Sequence, residues 1–118
     1  MSSAPVSRLL TESGAEVAGE LELASSAWQR FVGLMGRREL AEGQGLCIRP
    51  CNSIHMFFMR FPLDVAFIDG DGRVVRAYHG IRPWRVSRIV FGAKAAIELP
   101  AGTLARFGVA EGSRLSVV

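Results

Sequence analysis

Glycine and proline decide the class of fold before any other residue does. Thirteen glycines and five prolines cut the chain into short segments, and no apolar run between them approaches the roughly 20 residues that a membrane-spanning helix needs. Short segments joined by tight turns favour strands over a helical bundle. The strongest turn is Asp69-Gly-Asp-Gly72, because Asp-Gly supplies the positive φ angles that a two-residue connection requires. It predicts a hairpin between strands at 63–69 and 73–79.

Elsewhere the period of the apolar residues sets the elements. Residues 16–23 alternate, with Val17, Gly19, Leu21 and Leu23 on one side and Glu16, Ala18, Glu20 and Glu22 on the other, the pattern of a half-buried strand. Trp28, Phe31, Val32 and Met35 then fall at helical spacing, with Ser25 or Ser26 as N-cap and Gly36 as stop. This predicts one short helix near 26–35 that lays Trp28 and Phe31 on the sheet. Further strands are expected at 46–49, 54–59, 93–99 and 114–118, with a short helical turn near 103–107. Residues 80–92 show no clean period and read as a long excursion with one edge strand. With 118 residues, 49% of them hydrophobic, the chain suits a single β-rich domain over 1–118. The expected architecture is mostly β: a compact, mostly antiparallel β-barrel or sandwich. Its core is expected to be led by Trp28, Phe31, Met56, Phe58, Val65, Phe67 and Ile97.

Punctuation points in a fixed order suggest kinship. Gly33-Leu34-Met35 with Arg37 and Arg38, the run from Ile54 through His55-Met56 and Arg60-Phe61-Pro62-Leu63-Asp64 to Val65, Phe67-Ile68-Asp69, Gly72-Arg73-Val74-Val75 and Glu98-Leu99-Pro100-Ala101-Gly102 together resemble the domain of unknown function 192 family. The resemblance runs from about Arg30 to the C-terminus. It implies a small β-rich domain of bacteria and archaea and carries no established activity with it. The turn Gly112-Ser113 departs from the family pattern, in which an acidic residue follows the glycine, so no acidic role carries over there.

Polar residues set inside apolar runs are the candidate sites. Asp64 interrupts Leu63-Asp64-Val65-Ala66-Phe67, and Glu98 interrupts Ala95-Ala96-Ile97-Glu98-Leu99. Carboxylates in such runs are expected to be buried and paired, with Arg37, Arg49 or Arg60 as ion-pair partners, or to line a pocket facing an arginine. His55 lies among apolar neighbours and needs a partner: Asp64, Glu98 or a backbone carbonyl. With a carboxylate in an open pocket it would have the parts of a general acid or base. Cys47, Cys51 and His55, with Met56, Met59 and His79, raise a metal site, but the set is incomplete and no metal or cofactor is expected. A Cys47–Cys51 disulfide would need Pro50 to turn the chain sharply, so two partly buried thiols are the simpler expectation. The candidate ligand-binding set is Arg37, Cys51, His55, Met59, Asp64 and Glu98.

The formal charge is +3, carried by arginines scattered from Arg8 to Arg114, where a dedicated nucleic-acid surface would concentrate them. The nearest to a cluster is Arg82, Arg85 and Arg88 around Trp84. Three functions therefore stand in order: a small-ligand or peptide-binding accessory domain; an enzyme using His55 with Asp64 or Glu98; and a weak single-stranded RNA binder through Arg82, Trp84, Arg85 and Arg88. No specific nucleic acid and no membrane partner is expected, and the oligomeric state is open. The N-terminus has no basic region followed by an apolar stretch, which reads as a cytoplasmic protein.

Overall fold

The hairpin forms where Asp-Gly places it. Asp69 Oδ1 accepts from the Asp71 and Arg73 N–H groups at 2.9 and 3.0 Å, and Gly72 takes φ 82°. A Cβ at Gly72 would also collide with the Leu115 carbonyl, so the turn needs glycine for both conformation and space.

The computed structural model describes residues 6–118; residues 1–5, where the reading of the N-terminus rested, lie outside it. The elements in order are β1 (Val6–Thr11), β2 (Glu16–Ala24), α1 (Ala27–Val32), β3 (Gln44–Ile48), β4 (Leu63–Ile68), β5 (Val74–Ile81), β6 (Ala95–Pro100), α2 (Thr103–Arg106) and β7 (Leu115–Val117). They form one sheet in the order β5-β4-β6-β3-β2-β1-β7. Every pairing is antiparallel except β2 with β3, where α1 lies in the crossover that a parallel pair requires. The sheet curls into a half-barrel whose edges meet at one end: Arg73 and Arg114 form a bridge, and Leu115 N–H donates to Gly72 O at 2.8 Å. No helix among the described residues is long and apolar enough to cross a membrane.

Both faces of the sheet are covered. One carries Leu9, Leu21, Ile97, Leu99, Leu104 and Leu115; the other carries Leu34, Met56, Met59, Leu63, Val65 and Phe67. β4, between β5 and β6, is buried at every position, which is why it reads as a continuous apolar run and not as an alternation.

Four expectations need correction. β1 was not expected; it pairs with both β2 and β7, and its signal was a short apolar run ahead of the turn that ends in Gly14. The helix stops at Gly33, not Gly36, because Gly33 takes φ 48° and ends α1 there. Residues 54–59 are no strand: only His55 pairs, with Val86, and the chain then turns through Phe58 at φ 62°. Trp28, Phe31 and Phe58 are not core but 73%, 56% and 59% exposed. Leu34, Met56 and Met59 fill the space they were expected to occupy.

Asp64 is fully buried, and its partners are main-chain amides in place of the expected arginines. Oδ1 accepts from Gly80 N–H at 2.9 Å, and Oδ2 from Gly102 N–H at 3.0 Å and Leu104 N–H at 2.9 Å. α2 has no side-chain cap of its own; Asp64 of β4, the strand beside β6, caps it instead. Asp64→Asn places an amide NH2 against at least one of these donors. It is expected to cost about 3 kcal/mol, as charge-assisted bonds are replaced by an unsatisfied buried group, and to lower the urea midpoint with the slope unchanged. An unaltered midpoint would overturn this role.

Candidate functional site

The site begins with the cap of α1. Ser26 Oγ accepts from Gln29 N–H at 3.0 Å, and Gln29 Oε1 accepts from Ser26 N–H at 3.2 Å, a reciprocal capping box that starts the helix at Ala27. The helix presents Arg30 and Phe31 toward the 50–55 loop, and Arg30 Nη1 donates to Pro50 O at 3.2 Å. Gly33 then turns the chain over the sheet, where a Cβ would lie 3.9 Å from Glu98 Oε1.

Register decides which carboxylate arrives beneath this roof. Val65 pairs with Glu98 and Asp64 with Leu99, and side chains alternate along a strand. Glu98 therefore shares a face with Val65, Met56 and α1, while Asp64 points to the opposite face. Of the candidates His55, Asp64 and Glu98, His55 and Glu98 line one cavity, and Asp64 is not part of its lining.

That cavity measures about 40 Å³ and is lined by Arg30, Gly33, Cys51, His55, Met59 and Glu98 among others. Since a water needs roughly 10–15 Å³ of such space, it suits a few waters or one small head group. It adjoins a shallower basin of about 570 Å³. Arg30, Phe31, Ile48, Cys51 and Ser53 line both, and Asn52 and Lys94 lie on the outer wall. Two buried polar atoms have no partner among the described residues, Glu98 Oε1 and Arg30 Nε. Both belong to residues of this cavity. Glu98 is only 4% exposed, and burial pushes its carboxyl up to about 7, with the positive Arg37 partly opposing.

Cys51, His55, Met59 and Glu98 are thus gathered, whereas Arg37 is engaged by Glu22 in a forked pair at 2.8 and 3.3 Å. Arg30, which the sequence reading missed, lines the cavity in its place. His55 takes its backbone partner: Nε2 donates to Phe31 O at 3.0 Å, which leaves Nδ1 to accept from Phe57 N–H at 3.3 Å. Both ring nitrogens are occupied, with no carboxylate to orient a base. The Cys51 thiol donates to Ser53 O at 3.0 Å, and burial pushes its pKa up, so it is held as a thiol and not as a nucleophilic thiolate. Cys47 and Cys51 are both free. Among the described residues no three of His, Cys, Asp and Glu gather as a metal-ligand set.

Outside the cavity the displaced aromatic rings form a ridge. Trp28 and Phe31 lie 6.1 Å apart, Phe31 and His55 5.4 Å, and His55 stacks on Phe57 at 5.1 Å. Phe57 then meets Trp84 at 6.1 Å, and Trp84 meets Phe58 at 4.9 Å. Phe58 and Trp84 are the only non-glycine residues with positive φ among the described residues, at 62° and 69°. Such a conformation is costly for a bulky side chain and persists only where the surrounding structure holds it.

A family model for domain of unknown function 192, described as an uncharacterised ACR, matches residues 8–117 and so extends the resemblance back through β1 and β2. A UPF0127 protein of Thermococcus sibiricus is 36% identical over 90 residues, which cover 73% of this chain and 58% of that protein. One from Pyrococcus furiosus is 33% identical over 105 residues, covering 86% and 90%. This chain spans 58–66% of the length of the three Thermococcus relatives it matches. A crystal structure of a Sinorhizobium meliloti protein, described as a candidate transcription regulator, superposes with TM-score 0.82 at 32% identity over 99% of this chain and 97% of its own. A Novosphingobium aromaticivorans protein of unknown function shares the fold with TM-score 0.81 at 24% identity, over 94% and 83%. With the match running almost end to end and identities above 30% over most of its length, the chain belongs to the domain of unknown function 192 family.

Proposed function

We propose that this chain is an accessory domain that binds a small ligand, or the end of a peptide, in the basin between α1 and the 50–53 loop, with the head group seated on Glu98. The observation that carries the reading is the pair of unpartnered buried atoms on two residues that line one cavity: the acceptor Glu98 Oε1 and the donor Arg30 Nε. Leaving such groups unsatisfied is costly, and a ligand with a hydrogen-bond donor beside an acceptor satisfies both. A primary ammonium next to a carbonyl has that chemistry. Lys94 on the outer wall suits an anionic or carbonyl-rich remainder. Binding is favoured over catalysis because the His55 nitrogens are both occupied and Cys51 stays a thiol. The proposed setting is the cytoplasm, where a reducing medium keeps Cys47 and Cys51 free.

The buried carboxyl makes two measurable demands. Its folded-state pKa, about 7, lies above the ordinary 4.5. The folded protein therefore holds a proton that the unfolded chain has released, and stability falls as pH rises from about 4.5 through about 7. The loss at pH 8 is expected to be about 3 kcal/mol. Glu98→Gln should match the wild type near pH 4.5 and exceed it increasingly toward pH 8, as read from urea midpoints. A constant difference across pH would show that Glu98 ionises freely.

The second demand concerns the ligand. Glycinamide, with an ammonium beside an amide carbonyl, is expected to raise Tm at millimolar concentration, and more at pH 8 than at pH 6, because its ammonium pairs with the ionised carboxylate. At ten times Kd the stabilisation is about 1.4 kcal/mol. Acetate should have no effect, and Glu98→Gln should abolish the glycinamide shift. Equal shifts from glycinamide in the wild type and in Glu98→Gln would refute the site.

A further inference from the structure

We propose that the exposed aromatic ridge, the outer side of the wall whose Phe31 and His55 also line the Glu98 cavity, binds single-stranded nucleic acid without sequence preference, its rings stacking on bases and flanking arginines meeting phosphates. The first support is the ridge itself. Trp28, Phe31, Phe57, Phe58 and Trp84 are all exposed, and they follow one another at 4.9–6.1 Å through His55. Bases stack on such rings whatever their identity, since every base has a π-face.

Charge selects the occupant. The ridge is built from three stretches, 23–38, 43–63 and 72–97, that contain no Asp or Glu. They supply Arg60, Arg82, Arg85, Arg88 and Lys94, all exposed, and none has a carboxylate within salt-bridge distance among the described residues. The arginines paired there, Arg8, Arg37, Arg76 and Arg106, lie outside this group. Trp84 sits between Arg82 and Arg85 in a turn closed by Arg85 N–H donating to Arg82 O at 3.3 Å. The turn is fixed to the ridge by Trp84 N–H donating to Met56 O and by Met56 N–H donating to Arg85 O, both at 2.7 Å. Trp84, with Arg82 and Arg85 on either side, is therefore held beside Phe57 and Phe58 by main-chain hydrogen bonds. An apolar peptide would use the rings and leave the cations idle, and a purely acidic partner would do the reverse; a single strand uses both.

The chain's two tryptophans are both on the ridge, so their fluorescence reports directly on its occupancy. The test titrates the full chain with 12-nucleotide oligo(dT) and oligo(U), following tryptophan quenching and the anisotropy of an end-labelled strand. With three to five phosphates met, affinity should fall roughly 18- to 130-fold between 50 and 200 mM salt. Trp84→Gly should weaken binding about ten-fold with the salt dependence unchanged. Because glycine tolerates positive φ, Tm should stay within a few degrees of the wild type, so weaker binding would not reflect unfolding. Arg82→Ser with Arg85→Ser should flatten the log–log salt slope by about 1.4. Tighter binding of oligo(U) would identify RNA, and equal affinity a binder indifferent to the sugar; both support the proposal. It is overturned by any of four results: no quenching at 50 mM salt, equal binding of polyglutamate, equal binding of duplex DNA, or full affinity in Trp84→Gly. Quenching that appears with rising protein concentration alone, together with dimers in sedimentation, would assign the ridge to self-association and also overturn it.

Discussion

A single carboxylate holds together the parts of this fold that are far apart in sequence. Asp64 reaches the end of β5 through Gly80 and the start of α2 through Gly102 and Leu104, with no counter-cation in its bonding. Three main-chain donors give a buried anion the solvation that water would have provided. They also explain why both glycines adopt positive φ, 66° at Gly80 and 92° at Gly102: the chain must turn its amides inward. The short helix α2, the β4–β5 pair and the turn after β6 are all registered on this point, and the Leu104 side of the core closes against it.

The second carboxylate lies in the neighbouring strand and has the opposite fate. Glu98 is paired with Val65, one step out of phase with Asp64, and therefore faces the layer made by α1 and the 50–59 loop. No main-chain amide meets its Oε1 there, and burial without a donor raises its affinity for a proton. Two residues of the same charge, each set in an apolar strand, thus become a structural anchor and an unsatisfied group in a cavity. The difference lies in what each face of the sheet offers and not in the strands themselves.

The aromatic ridge follows from the same layer. α1 is only six residues long and buries none of them, because Leu34, Met56 and Met59 already fill the face of the sheet beneath. Its aromatic stripe is pushed outward, where Trp28 and Phe31 continue into His55 and the 57–58 turn. His55 ties the two systems together: one nitrogen holds the end of α1, the other the Phe57 amide, while its ring fills a place in the ridge. The exposed rings and the hidden carboxylate are thus outer and inner sides of one wall.

Local chemistry made much of this legible in sequence. The Asp-Gly hairpin, the Ser26 cap, the central strands and the anomaly of Asp64 and Glu98 all arise from turn preferences, hydrogen-bonding side chains and apolar runs, which act over a few residues. The absence of acidic residues from 23–38, 43–63 and 72–97 was equally legible and is the signal that would have marked the ridge. Tertiary structure alone decided the rest. Whether a carboxylate faces backbone amides or a cavity depends on strand register, which a shift of one residue reverses, and the partners of Asp64 lie 16 to 40 residues away. Whether an aromatic stripe is core or surface depends on which residues reach the sheet first. That competition for volume is settled among side chains distant in sequence, and no local period records its outcome.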